Sequence, residues 1–408
     1  MMPSRTTAAC GGEASTGADE KPHLLDLFRR HADAYRAQNR LTPKQGQLLR
    51  DMERCRTAAL GGHVYRCNVC NDEVPMYNSC ANRGCPNCQA LEQARWITAR
   101  KQRILPVGHH QVVFTLPSEL RPLASQHPRE LYGLLLHAAG TVLTSLAEEQ
   151  LGIRLGATLV LHTWTRELLY HPHVHCVVTA GGLTLNGQRW VDRKGFLFAV
   201  AQLKARFHAQ MLIGLDQLRR DGLPLDEDPE AWTLLFRRLP KANRWVVYIG
   251  APFGRSTHVF DYLGRYTHRV GLSDQRLVSV SETAVTFRTR GTATVTMTPQ
   301  ELMRRYLRHV LPAGLNKIRH VGLYAAVHVR GALKQAKLLL GDGDSDRAAA
   351  EPSAAETTPV DSTETWVELL TRLLGGADPL KCAKCGQGRL VLDTIVQRPR
   401  SRAPPESS

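Results

Sequence analysis

The sequence predicts an α+β fold: a cysteine-rich module, then a region in which strands and helices follow one another. Two observations predict it. Cys67, Cys70, Cys80, Cys85 and Cys88 crowd one short stretch and include two Cys-x2-Cys pairs. Downstream, the run HPHVHCVVT from His171 to Thr179 has the β-branched content of a strand and is stopped by Gly181-Gly182. Around both lie segments with apolar residues at helical spacing, such as Leu24, Leu27, Phe28 and then Tyr35.

At 408 residues the chain has room for roughly two or three domains. Its 43% hydrophobic content suffices for a sizeable core. No run approaches the ~18 apolar residues of a membrane span. Residues 1–20 are small and polar, read as disordered, and carry no apolar stretch of a secretory signal, so a cytoplasmic protein is expected.

Charge narrows the class. Lys and Arg number 53 against 37 Asp and Glu, a net +16. Residues 21–105 hold 15 basic against 7 acidic residues and residues 251–330 hold 12 against 4, so these two segments carry the whole excess. An excess focused this way is the footprint of a polyanion partner, most simply nucleic acid.

Thr42-Pro43 reads as an N-cap followed by proline at the first helical position. The helix it opens carries Leu48, Leu49 and Met52 towards Cys55 and is expected to end at Gly61-Gly62. The knuckles that follow signal zinc, because each presents two thiolates to one tetrahedral ion. A disulfide framework is the weaker reading in a cytosolic chain. Cys67, Cys70, Cys85 and Cys88 form the simplest ligand set; Cys80 either replaces one of them or joins Cys55 and His63 in a second site. Arg66 and Arg83, with His63, Tyr65 and Tyr77, interleave with the cysteines as in a nucleic-acid-reading finger, the alternative being plain packing of the finger. A helix from Gln89 to Arg103 follows and carries Trp96.

His110 to Leu116 reads as a strand closed by Pro117-Ser118, and a helix with Leu131, Leu134, Leu135 and Leu143 comes next. Ala157 to Trp164 is a further strand, one short turn before the histidine strand, so the two make an antiparallel hairpin. Strand side chains alternate faces, which sets His173 and His175, with His171, on one side and Val174 in the core. Two adjacent imidazoles are half of a divalent-metal site. His162 or Glu167, from the partner strand and turn, is the candidate third ligand, although His162 taken alone also reads as a structural histidine. Residues 183–200 read as a hairpin, 201–220 as an amphipathic helix and Trp245 to Ile249 as a strand.

Val259 to Arg269 reads as a helix that sets Tyr262 and Tyr266 one turn apart on one face, with Arg265 and Arg269 on a ridge beside them. A phenol with pKa near ~10 attacks poorly unless a metal or cations make a phosphate more electrophilic. Packing is the alternative role for such a pair. Residues 341–363 are of low complexity, Trp366 to Leu374 reads as a short helix, and Cys382-x2-Cys385 is a lone knuckle, half of a zinc site. The end from Arg398 reads as disordered.

Taken together and in order, the cysteine cluster, HPHVHCVVTAGG and YLGRYTHRV resemble the insertion-sequence-91 type of bacterial transposase, a group within the two-tyrosine HUH endonucleases. LGGHVYRCNVC, NRGCPNCQA, WVVYIGAPFG and RRYLRHVLPAGLNKIRHVGL extend the likeness over about residues 23–330. Gly84 departs from it: such transposases commonly carry histidine just before the cysteine that is Cys85 here.

The resemblance implies a zinc-binding DNA-recognition domain over 21–105 and an HUH-type catalytic domain, an antiparallel sheet flanked by helices, over 106–335. A linker over 336–363 and a tail over 364–408 would follow. His173 and His175 would hold Mg²⁺ or Mn²⁺, with His162 as a third candidate. Tyr266 or Tyr262 would attack single-stranded DNA, leaving a 5′-phosphotyrosine and a free 3′-hydroxyl. Arg265 and Arg269 would contact the strand, and transfer would follow a rolling-circle-like course. Exchange of one phosphodiester for another needs no ATP, and no Gly-x4-Gly-Lys phosphate loop occurs. A rolling-circle replication initiator or relaxase shares this chemistry; a non-catalytic zinc-finger DNA-binding protein is the reading from a different class.

Overall fold

Thr42 caps its helix as the sequence requires. Its hydroxyl accepts from the Gln45 backbone N–H at 3.3 Å, the Gln45 side chain accepts from the Thr42 N–H at 2.9 Å, and Pro43 occupies the first turn. These residues are seen in a computed structural model that describes residues 22–88, 90–101, 103–193, 195–225, 230–250, 271–341 and 365–399. The described residues divide into two compact units. One takes those within 1–94, 268–307 and 358–408, the other those within 95–267 and 308–357.

In the first unit the helix Leu24–Gln38 buries Leu24, Leu27, Phe28 and Tyr35, the apolar face read from the sequence. The capped helix Pro43–Arg54 stops earlier than Gly61-Gly62, because Cys55 leaves helical geometry (φ −61°, ψ 126°) and turns its thiol towards other cysteines. Gly61 instead takes a positive φ of 68° at the entrance to a strand, where a Cβ would lie 2.6 Å from the Val396 carbonyl. That strand, Gly62–Cys67, is the centre of a three-stranded antiparallel sheet between Glu73–Tyr77 and Leu390–Val396. The chain's end is therefore part of the cysteine module rather than a separate tail.

Residues 271–307 also differ from the expected division. They form short strands Leu277–Val280, Val285–Arg288 and Thr294–Met297, then the helix Pro299–Leu307. This helix buries Leu302, Met303 and Tyr306, and the Tyr306 ring meets Phe28 edge-on at 5.0 Å. The apolar stripe thus belongs to the first unit, not to a catalytic domain running unbroken from 106 to 335. The helix Ala332–Leu340 likewise occupies the start of the expected linker.

The second unit is built on a five-stranded sheet. Its order is Ile318–Gly322, Gly156–Trp164, Tyr170–Thr179, His109–Thr115, Val247–Ile249, every neighbouring pair antiparallel. One face, with Val112, Phe114, Leu159, Leu161, Val174, Cys176 and Val178, is buried against the helices Pro128–Leu151 and Val200–Arg220. Those helices approach closely at Gly214, where a Cβ would lie 2.0 Å from Leu134 Cδ1. The hairpin expected at 183–200 is present as Gly181–Thr184 paired with Trp190–Asp192. No helix among the described residues is long and apolar enough to cross a membrane.

Candidate metal centres

Alternation along the strands decides what the other sheet face carries. The register sets His162 opposite His173 and Val160 opposite His175, while His175 also faces Val113 across the next strand. The side-chain nitrogens of His162, His173 and His175 lie within 4.8 Å of one another. His162 is therefore a member of the cluster, whereas Glu167 is exposed in the turn and outside it.

Two of the rings are oriented by their outer nitrogens. His173 Nδ1 lies 2.7 Å from the His171 carbonyl, so it carries the proton and leaves the Nε2 lone pair facing inward. His175 Nδ1 lies 3.0 Å from the Gln111 side-chain amide, whose oxygen can accept its proton. The two Nε2 atoms are 3.0 Å apart. Two nitrogens bound at ~2.1 Å in adjacent octahedral positions would stand about 3 Å apart, so the pair fits a divalent cation. Burial holds all three imidazoles neutral, the ligating form: His173 is lowered to about 4 and His175 to about 3. His162 is lowered by burial first, then by the nearby His175, His173 and Lys317.

Cations border this centre. Arg121 bonds His171 Nδ1 at 2.8 Å, and Lys317 is near enough to act on His162. Sequence reasoning missed Gln111, Arg121 and Lys317, since nothing local to them marks their approach to the histidines. Tyr262, Tyr266, Arg265 and Arg269 lie outside the described residues.

The cysteines form two tetrads, not the single set Cys67, Cys70, Cys85 and Cys88. In one, Cys55, Cys80, Cys85 and Cys88 converge, with sulfurs 3.4 Å apart for Cys55–Cys88, 3.5 Å for Cys80–Cys88 and 3.7 Å for Cys55–Cys85. In the other, Cys67 and Cys70 meet Cys382 and Cys385, with Cys67–Cys385 and Cys70–Cys382 both at 3.7 Å. Four sulfurs at ~2.3 Å from one Zn²⁺ stand about 3.8 Å apart along each tetrahedral edge, so both tetrads have the dimensions of a structural zinc site. The C-terminal knuckle is not lone: it completes the N-terminal one.

His63 belongs to neither tetrad. Gly84 does not leave the first tetrad short of a ligand. A Cβ there would lie 2.7 Å from Leu48 Cδ2, so Leu48 fills the space, while the Gly84 carbonyl accepts from the Tyr306 hydroxyl at 2.7 Å. Arg83 is exposed beside this tetrad. Arg66, expected to meet nucleic acid, is instead flanked by Glu73 at 2.7 Å and Asp393 at 3.1 Å, and these carboxylates occupy its guanidinium.

Known proteins match along most of the chain. A family model described as a transposase zinc-binding domain matches residues 27–116, and one described as a putative transposase matches residues 156–331. The putative transposase y4qJ of Sinorhizobium fredii is 37% identical over 401 residues, covering 93% of this chain and 98% of that protein. The transposase for insertion sequence element IS801 of Pseudomonas savastanoi pv. phaseolicola is 28% identical over 367 residues, covering 84% and 82%. No solved structure matches the chain.

Proposed function

Because the chain belongs to the insertion-sequence-91 type of transposase, with a zinc-binding domain on its N-terminal side, we propose that it cuts and transfers single-stranded DNA through a tyrosine nucleophile in an HUH-type catalytic unit. The observation that carries this reading is the convergence of His162, His173 and His175 on one sheet face. A divalent cation bound there supplies Lewis-acid polarisation of the scissile phosphodiester. Of Mg²⁺ and Mn²⁺, three imidazoles suit Mn²⁺ better, since Mg²⁺ prefers oxygen ligands.

The chain's own part is positioning and bond exchange. Tyr266 or Tyr262 attacks phosphorus through its phenolic oxygen, the bond to the 3′-oxygen breaks, and that oxygen leaves as a hydroxyl after taking up a proton. The 5′-phosphate is then held on tyrosine until another 3′-hydroxyl attacks and restores a phosphodiester. Arg121, beside His171, offers charge to the phosphate oxygens, as do Arg265 and Arg269 next to the tyrosines. Such a reaction belongs in the cytoplasm, with its substrate and target DNA, and follows a rolling-circle-like course from the element's ends.

Incubation with labelled single-stranded element ends and Mn²⁺ tests the reading. A covalent adduct that peptide mapping places on Tyr266 or Tyr262 is expected, and Tyr266→Phe is expected to remove more of it than Tyr262→Phe. Intact binding with no adduct on either residue would leave a zinc-containing DNA-binding protein without this cleavage chemistry.

A further inference from the structure

The sheet face that carries the histidines continues away from them. Four residues back along the same strand from His162 lies Thr158, about 13 Å away at ~3.3 Å per residue and on the same side. Thr158 pairs in register with His320, and its hydroxyl is 3.0 Å from His320 Nδ1. Between these residues and the histidines, Trp96, Ile97 and Ile104 pack on Val160 and Val177. Arg100, Arg103, Ile104, Thr158, His320, Tyr324 and Leu333 then line a cleft.

The cleft is built for an anion. No carboxylate lines it, and two guanidiniums do. Neither Arg100 nor Arg103 forms an ion pair among the described residues, and the buried Arg100 Nε has no hydrogen-bond partner there. Burial and then the charge of Arg103 weaken the hold of Arg100 on its proton, as expected of a cation awaiting a counter-charge. The same two arginines, after burial, keep His320 neutral. With Nδ1 on Thr158, its Nε2 remains as the ring's other polar atom. Tyr324 is tied back by the Leu105 N–H at 3.2 Å and His109 Nε2 at 2.9 Å, so it forms a fixed wall.

We propose that this cleft is a phosphodiester subsite, in which Arg100 and Arg103, with Thr158 and His320, hold one backbone phosphate of a single strand whose neighbouring stretch lies at the histidine centre. The assignment to DNA rests on the function proposed above. The cleft's demand for an anion does not.

The test uses the full-length, zinc-replete chain and fluorescein-labelled dT12, followed by anisotropy across a salt series without added divalent cation. No cleavage is needed, so a chain that never forms a tyrosine adduct still reports on this subsite. Arg100→Gln with Arg103→Gln is expected to weaken binding on the order of ten- to hundredfold, the range for lost charge-assisted contacts. It should also reduce the slope of log K against log salt by about 0.7 for each phosphate released. Arg100→Lys with Arg103→Lys should keep most of the slope. Zinc content and thermal melting control for folding; should the double variant not fold, Arg103→Gln alone, at an exposed position, carries the test. Affinity and slope equal to wild type overturn the subsite. Calorimetric titration with inorganic phosphate separates the sources: a double variant that loses phosphate binding but keeps dT12 binding shows a free-anion pocket and overturns the DNA assignment.

Discussion

His173 Nε2 and His175 Nε2 face each other at 3.0 Å, while the outer nitrogen of each ring is engaged by the His171 carbonyl and the Gln111 amide. Two lone pairs aimed at one point repel unless a proton or a cation lies between them, so this pairing defines the centre. His173→Ala or His175→Ala is expected to abolish cleavage and calorimetric Mn²⁺ binding at this site. Affinity for single-stranded DNA should stay within a few-fold, because phosphate contacts from Lys and Arg supply most of it. Full cleavage by the double variant in metal-free buffer would remove the histidines from the chemistry.

Gln111 tests the geometry more finely. It touches no proposed substrate and acts only by fixing the His175 ring. Partners of this kind change metal affinity by about 10- to 100-fold when removed. Gln111→Ala should therefore weaken Mn²⁺ binding by that order and leave cleavage at saturating Mn²⁺ close to wild type. Gln111→Glu, which keeps an acceptor at Nδ1, should restore affinity. A loss of turnover that excess Mn²⁺ cannot rescue would mean that Gln111 does something other than orient His175.

What the sequence made legible follows from the range of each interaction. His173 and His175 share a face because strand periodicity is local, and a short turn brings His162 opposite them. Gln111 sits on a strand some sixty residues earlier, and its register with His175 is set by sheet packing that no local pattern announces. The cysteines divide in the same way. Spacing of two identifies each knuckle but cannot say which knuckles share an ion, and Cys67 and Cys70 chose partners more than 300 residues away. Loop closure over such a distance costs little more than over a short one, since the entropy grows with the logarithm of length. The strands within 277–297 went unread because each is only four residues long, too short for periodicity to register.

Acid should weaken the second unit through His109. Its side chain is fully buried; Nδ1 donates to the Val107 carbonyl at 2.8 Å and Nε2 accepts from the Tyr324 hydroxyl at 2.9 Å. Burial lowers it to about 4, against ~6.5 in the unfolded chain. Between those values the unfolded state binds more protons, so stability rises with pH across the window and is flat above it. From pH 7.5 to 5 this one group should remove about 2 kcal/mol. His109→Gln, whatever it costs at neutral pH, should lose less over that interval by a similar amount in urea unfolding. Parallel pH profiles for the two proteins would mean that His109 is protonated in the fold.

The split tetrad gives the sharpest stoichiometric prediction. Wild-type protein is expected to hold two Zn²⁺ per chain, and a chain ending at residue 364 only one, because Cys67 and Cys70 then keep half a coordination sphere. Cys382→Ser should behave similarly. Cys88→Ser should also drop one Zn²⁺, but from the tetrad whose four ligands lie between residues 55 and 88. The consequences differ in place. A structural zinc contributes on the order of 10 kcal/mol to folding in small modules, so neither loss should be silent in thermal melting. Loss of the split site should free the strand Leu390–Val396 from Gly62–Cys67 and expose Leu390 and its neighbours to protease, while the tetrad of Cys55, Cys80, Cys85 and Cys88 stays closed. The Gln111–His175 contact, which lies in the second unit, should be unaffected, so Mn²⁺ binding serves as an internal control. Metal analysis of freshly purified protein decides it. Two Zn²⁺ retained by the truncated chain would show that the N-terminal knuckles suffice for both ions and that Cys382 and Cys385 are not ligands.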